Sequence, residues 1–297
     1  MKILISGGTG FVGRALVGQA FAAGHSVTVA SRRPADVHMA FAQLKIVANY
    51  PDLSGFDAVV QLSGENLFAK RWNPAQKEVL RKSRVDSAQA IVDAIATAEQ
   101  KPRAFVQASA IGYYGCDRGE ELLEETAAPG ADFLAGVCRE WESTAAKARE
   151  HGVATTCLRT GVVLGKGGGA LAQMVPPFKL GLGGPIGAGR QWMSWVHIQD
   201  LARMIVFALE KEHDGPLNGV APEPARNKDF TKALGRVLHR PTIFPIPPFG
   251  LKLRFGEVSD VLTGSLRCSA ERALANGFEF KHPTLEKTLA DVLHHKH

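Results

Sequence analysis

The stretch "ILISGGTGFVGRAL", residues 3–16, constrains this chain more than any other. It sets an apolar run, three glycines at Gly7, Gly10 and Gly13, and an amphipathic stretch in direct succession. Glycine reaches positive φ without steric cost, so the backbone can turn sharply off a strand and enter a helix within a few residues. A bare backbone also lets an anion approach the first N–H groups of that helix, where the helix dipole favours negative charge. The third glycine allows the helix to pack closely on its strand. A glycine triplet alone is weak evidence, and a turn made only for packing is the competing reading. With a strand before it and a helix after it, the triplet reads as a dinucleotide-binding loop, with Gly7, Thr9, Gly10, Phe11, Val12 and Gly13 along the pyrophosphate.

The following residues extend that unit. Short apolar runs at 2–6, 26–30, 44–47, 58–62, 104–108 and 155–158 alternate with helical patterns at 11–23, 74–99 and 133–150. Continuous apolar strands separated by helices predict a parallel sheet covered on both faces, an α/β doubly wound sheet of the Rossmann type. Asn73 and Pro74 mark a helix start, with Gln76 placed to reach back. Past residue 160 the texture changes: ten of the 31 glycines fall between Gly161 and Gly189. Such a segment predicts loops, followed by a helix near 200–210 that Asp200 would cap. The expected organisation is a nucleotide-binding domain over 1–165, completed by 192–222, glycine-rich substrate loops over 166–191, and a small carboxy-terminal lobe over 223–297.

The end of the second strand selects the cofactor. An NAD site places a carboxylate there, about 20 residues past the glycines, for the ribose 2′-hydroxyl. This chain reads "VTVASRRP", with Ser31, Arg32 and Arg33. A guanidinium pairs bidentately with a 2′-phosphate, so NADP is favoured over NAD, whose acid would have to be Asp36. Leu62, Ser63 and Gly64 end the fourth strand, where small residues let a cofactor lie against the backbone.

Composition narrows the partners. The net charge of +6 comes from scattered basic residues without the Lys/Arg stripe and interleaved aromatics of a nucleic-acid surface. A small-molecule substrate and a phosphorylated cofactor are expected, and nucleic acid is not. Four cysteines, none in a CxxC pair, point away from zinc and disulfides and suit a reducing cytoplasm. No run approaches the roughly 20 apolar residues of a membrane span, and "MKILIS" leads directly into the glycines without a signal-peptide core. No membrane role and no metal are expected; the terminal "HHKH" is read as inert.

The segments "SGGTGFVG", "SRRP", "LSGEN", "ASAIGYYG", "LRTGVVLG" and "SWVHIQDL" together resemble the short-chain dehydrogenase/reductase superfamily in its extended, NAD(P)-dependent epimerase/dehydratase form. More narrowly, "GENLFAKRW", "VCREWE", "RTGVVLGKGGGAL" and "PFKLGLGGPIGAGRQWMSWVHIQDL" are similar to an atypical epimerase-like group, sometimes labelled cell-division-inhibitor-like, with its own small carboxy-terminal domain. The resemblance implies an NADP-bound Rossmann domain with a substrate lobe. It also implies cofactor contacts from Glu78 and Arg84 on the helix after the fourth strand, and from Arg159, Val162 and Val163 after the sixth.

The superfamily's catalyst is a Tyr-x-x-x-Lys pair, in which a lysine one helical turn away lowers the tyrosine pKa. This chain has three tyrosines, and Ser54, Asp117 and Arg118 stand four residues after Tyr50, Tyr113 and Tyr114. The pair is absent. Ser109 is the candidate for the serine of that site, although the family's position falls on Ala110. Tyr113 and Tyr114 are the remaining candidates for proton transfer, with core packing as the alternative. His197 reads as a structural histidine, and Trp72, Trp192 and Trp195 as pocket or core. The leading expectation is an NADP-dependent oxidoreductase or nucleotide-sugar-epimerase-like enzyme. The alternative is an NADP-binding sensor without turnover.

Overall fold

The structure, a computed structural model, describes residues 1–31, 45–47 and 50–294. Arg32, Arg33 and Asp36 lie outside the described residues. Seven parallel strands form the central sheet: β1 (Lys2–Ser6), β2 (Ser26–Ala30), β3 (Lys45–Val47), β4 (Ala58–Gln61), β5 (Ala104–Ala110), β7 (Ala154–Thr160) and β11 (Gly215–Gly219). Their spatial order is β3-β2-β1-β4-β5-β7-β11. The order reverses between β1 and β4, and in such sheets ligands bind in the crevice outside the strand carboxyl ends at that point. Six of these strands were visible as apolar runs. The seventh, "GPLNG", was not, because its glycines and asparagine carry no β signal; pairing with β7 recruits it.

Helices cover both faces, as the unbroken apolar strands require. On one face α1 (Phe11–Ala22) packs beside α5 (Ile198–Glu210), burying Leu16, Val17, Leu201 and Ile205 against Ile3, Ile5, Val27 and Val29. On the other, α2 (Pro74–Thr97) and α3 (Phe133–Ala146) bury Ile91, Ile95 and Ala145 against Leu4, Val59 and Phe105. Asn73 Oδ1 accepts the Gln76 N–H at 2.8 Å and so caps α2. Gln76 does not reach back; its side-chain nitrogen is buried and unpartnered. The capping of α5 also differs from expectation. His197 takes that role through Nδ1, while Asp200 is fully buried and accepts the Lys281 and His282 N–H groups at 3.0 and 2.7 Å.

The remaining elements build the second layer. β6 (Asp117–Leu123) pairs with β13 (Ser265–Cys268), β8 (Val162–Leu164) with β10 (Trp195–His197), and β9 (Trp192–Met193) with β12 (Ala225–Arg226). The glycine-rich segment is not loop throughout, since α4 (Gly169–Lys179) forms within it. Leu171 and Phe178 of α4 pack with Phe230 and Leu234 of α6 (Asn227–Leu238) and Leu289 of α10 (Leu285–His294), which gives the helix a hydrophobic face to bury. Between these lie α7 (Pro248–Phe255), α8 (Asp260–Thr263) and α9 (Glu271–Ala275). The carboxy-terminal residues therefore divide. α6 and α10 make the core of a lobe, whereas β13, Ala273 and Phe278 return to pack on the nucleotide-binding half.

Candidate functional site

The glycine loop sits at the reversal point and is built by exclusion. Gly7 has φ +80°, and a Cβ there would meet the Leu62 carbonyl carbon and the Ser63 nitrogen at 2.8 Å. A Cβ on Gly13 would stand 2.2 Å from the Gly7 oxygen. Only glycine lets the loop, the β4 end and α1 close on one another. Gly10 caps α1 without a side-chain hydrogen bond, and the first turn carries no acid. The helix ladder begins with Arg14 N–H donating to Gly10, so the amides of Phe11, Val12 and Gly13 are the orphan donors that a helix start presents. Thr9 holds the loop through its carbonyl, which accepts from Arg14 Nε at 3.0 Å. Phe11 turns its ring onto the glycine-rich segment: a Cβ on Gly165, Gly168 or Gly169 would lie 2.4 to 2.8 Å from it. Some of those glycines exist to receive this ring.

The facing wall comes from β4 and α2. Ser63 Oγ and Ser6 Oγ are hydrogen-bonded, and Ser6 also meets the Tyr50 hydroxyl at 3.1 Å. Arg84 lies under Gly64, whose Cβ position is 3.3 Å from the guanidinium carbon. Its NH1 and NH2 donate to the Leu80 and Glu65 carbonyls at 3.0 Å. No carboxylate pairs with it among the described residues, and burial lowers its pKa from the ordinary arginine value. A half-buried cation held by carbonyl oxygens is matched to an incoming anion. Glu78, on the same helix, is turned to the surface, where Arg81 and Lys82 take up its carboxylate. Ser31 follows β2 and donates its N–H to the Val47 carbonyl at 2.9 Å. Val162 opens β8, just past the end of β7, and donates its N–H to the Ser194 carbonyl at 2.8 Å.

The structure brings the catalytic candidates together in a largely buried polar cluster. Ser109 Oγ donates to Glu142 Oε1 at 2.6 Å. Arg159 binds the same carboxylate bidentately, with Nε and NH2 at 3.0 and 2.9 Å, and is nearly fully buried. Its NH1 donates to the Tyr114 hydroxyl at 3.1 Å and to the Glu125 carbonyl at 2.9 Å. Tyr114 is completely buried and donates to Asn218 Oδ1 at 2.7 Å. Burial drives its phenol pKa upward, away from the range of an acid–base group at neutral pH. Tyr113 stacks on Arg159, whose guanidinium carbon is 3.4 Å from the ring centroid. It lines a hollow of about 260 Å³ with Arg139, Glu142, Arg149, Arg159 and Pro216, between α3 and the sheet edge. Glu142, Glu125 and Asn218 were not among the candidates. Glu142 stands in "VCREWE" one position from a tryptophan and has no local partner; the partners arrive from β5 and β7.

The other singled-out groups have structural partners. Trp195 is fully buried with its Nε1 on the Glu223 carbonyl, Trp192 lies between Arg226 and Arg267, and Trp72 packs on Phe133. His197, His282 and Asp291 are the one group among the described residues with ligand atoms close enough for a metal, within 4.8 Å of one another. The two rings stack at 3.8 Å with 16° between planes, so their lone pairs run alongside each other rather than to a common centre. His197 Nδ1 accepts from Gln199, which leaves Nε2–H to donate to Asp291 at 3.1 Å. Burial, then the His282 neighbour, pushes this imidazole down to about 4. The unfolded chain takes up a proton near pH 6.5 and the folded one only near 4. Stability from this group is therefore complete above about pH 6.5 and is lost as pH falls between those values, by up to about 3 kcal/mol. Urea unfolding across that range is expected to show the loss in the wild type and a flatter curve in His197→Gln; identical curves would refute the assignment.

A family model described as the NAD dependent epimerase/dehydratase family matches residues 3–220. A second, a domain of unknown function designated DUF1731, matches residues 246–292. The human epimerase family protein SDR39U1 is 38% identical over 298 residues, 99% of this chain and 100% of the relative. The chloroplastic SDR39U1 homologue of Arabidopsis thaliana is also 38% identical, over 99% of this chain and 87% of its own length. The crystal structure of human SDR39U1 (isoform 2) with NADPH superposes with a TM-score of 0.88 at 34% identity, over 98% of this chain and 99% of that one.

Proposed function

From the premise that the chain belongs to the NAD dependent epimerase/dehydratase family and carries a DUF1731 domain after it, we propose that it binds NADP(H) and exchanges hydride with a small-molecule substrate without a Tyr-x-x-x-Lys pair. The observation that carries the reading is the cradle: loop glycines closed against Leu62 and Ser63, an uncapped α1 start, and Arg84 held by carbonyl oxygens with no carboxylate partner among the described residues. The residues suit a dinucleotide. The orphan amides of Phe11, Val12 and Gly13 would hold its pyrophosphate, and Leu62–Gly64 would lie along it. Arg32 and Arg33 would bind a 2′-phosphate, and the related human protein was solved with NADPH. When bound, the nicotinamide supplies hydride transfer, while the protein supplies orientation and exclusion of water.

Arg84→Ala is expected to weaken NADPH binding roughly tenfold or more, as loss of one charge-assisted contact implies, read by quenching of nicotinamide fluorescence. Unchanged affinity would remove Arg84 from the site.

A second reading, an NADP-dependent sensor without turnover, is favoured by one observation: Ser109, Tyr114 and Arg159 saturate one another and Glu142, so that Tyr113 is the one phenol of that cluster outside the network. Single-turnover absorbance of bound nicotinamide against carbonyl compounds and nucleotide sugars separates the two, with NMR to detect redox-neutral epimerisation. Hydride exchange or epimerisation with any substrate supports the enzyme; tight binding with neither supports the sensor.

A further inference from the structure

The expectation of no membrane contact rested on the absence of a spanning run, and no helix among the described residues is long and apolar enough to cross a membrane. Lying on a membrane requires something else: exposed apolar side chains beside basic ones, with few acids between. Two segments have that composition. Residues 161–199 and 230–256 contain no Asp or Glu, yet carry eight of the 35 Lys and Arg, so the rest of the chain is net negative.

The fold places parts of these segments side by side. Ile186 and Ile246 form a parallel bridge, Gly187 N–H donates to Ile246, and Ile246 N–H donates to Pro185. Arg240 Nε donates to the Lys179 carbonyl at 2.8 Å. A Cβ on Gly184 would fall 1.6 Å from the Phe244 oxygen, so the two backbones are in direct contact. Leu180, Leu182, Ile243, Phe244, Phe249 and Leu253 project from this pair, each 58–76% exposed. Among the described residues every other large apolar side chain is less than half exposed. α7, which carries Phe249 and Leu253 four residues apart, buries none of its residues.

A hollow of about 590 Å³ adjoins this apolar ledge, lined by Lys232, Arg236, His239 and Arg240 with Gly235 and Thr242. No acid lines it; Glu286 reaches Arg236 from α10 at 3.1 Å. Its shape is enforced, because a Cβ on Gly235 would collide with Thr242 at 2.3 Å. Lys179, Lys252 and Arg254 continue the basic character along the ledge.

We propose that this face docks on an anionic lipid surface, with Lys232, Arg236 and Arg240 receiving headgroup phosphates and the apolar ledge entering the headgroup–acyl boundary. Charge selects this occupant over a second copy of the chain, because a twofold contact through this face would set like-charged rims against each other. The inference is independent of how the crevice is read.

Vesicle co-sedimentation of the full-length protein tests it, using phosphatidylcholine alone and phosphatidylcholine mixed with phosphatidylglycerol. Binding is expected to the mixed vesicles only, falling as salt rises. Phe249→Glu/Leu253→Glu and Arg236→Glu/Arg240→Glu are each expected to lower it about tenfold or more, while Lys82→Glu on α2 leaves it intact. Near-ultraviolet circular dichroism confirms that each variant is folded. No sedimentation, equal binding to both vesicles, or equal loss in Lys82→Glu would overturn the proposal. So would a solution dimer that Phe249→Glu/Leu253→Glu dissociates, since the face would then be a self-interface. Soluble glycerol phosphate is expected not to displace the protein from vesicles; full displacement would reduce the site to a free-phosphate site and overturn lipid docking.

Discussion

Glu142→Ala is expected to destabilise the protein by about 3–5 kcal/mol, because it strands the Arg159 guanidinium in the core. Glu142 is the only carboxylate bonded to Arg159 among the described residues, and their side chains are 12% and 4% exposed. The Tyr114 hydroxyl and Glu125 carbonyl remain to accept from Arg159 NH1, but neither carries a compensating charge. Ser109 loses its acceptor at the same time. Chemical unfolding monitored by circular dichroism measures the loss. The double variant Glu142→Leu/Arg159→Met separates charge burial from packing: removing both ions is expected to recover most of the stability. A single variant that loses less than about 1 kcal/mol would place the pair in the inconsequential class of exposed ion pairs.

Gly13→Ala is expected to weaken NADPH binding roughly 10–100-fold, since relieving an overpacked contact costs about 1–3 kcal/mol. The added carbon would stand 2.2 Å from the Gly7 oxygen and 2.6 Å from the Gly8 Cα, both backbone atoms that move only with the loop. The displacement falls on the segment that faces the pyrophosphate in the proposed site. Gly136→Ala is the matched control. Gly136 lies inside α3 with nothing within 4 Å of a new Cβ, so this change is expected to leave binding unaltered and add up to about 1 kcal/mol of stability. Equal affinity in Gly13→Ala and wild type would disconnect the glycine loop from the cofactor.

The parts of this fold that could be read from sequence are those with local causes. Lys2–Ser6, Ser26–Ala30 and Ala58–Gln61 are apolar runs of strand length, and Asn73–Pro74 announces α2 through its own capping chemistry. β11 and α4 were missed because glycine-rich segments have weak intrinsic preference, and their partners across the fold decide their form. Asp200 reads as a cap by position, yet three residues earlier His197 already bonds the helix start, which frees Asp200 to anchor residues 281–282.

The candidate site divides in the same way. Gly7, Gly10 and Gly13, together with the lack of any Tyr-x-x-x-Lys pair, are properties of residue identity and spacing, so the dinucleotide loop and the missing catalyst were determined by the sequence alone. Where a side chain with several possible partners ends up is a different matter. Ser109, Tyr114, Glu142 and Arg159 stand up to 50 residues apart and converge only because β5, β7 and α3 are neighbours. Local sequence cannot say whether a tyrosine after a strand opens to a crevice or closes onto a buried arginine, because the two outcomes differ only in long-range burial. The tertiary structure decided it: a charged network desolvated between sheet and helix must satisfy itself, and it takes up the hydroxyls of Ser109 and Tyr114.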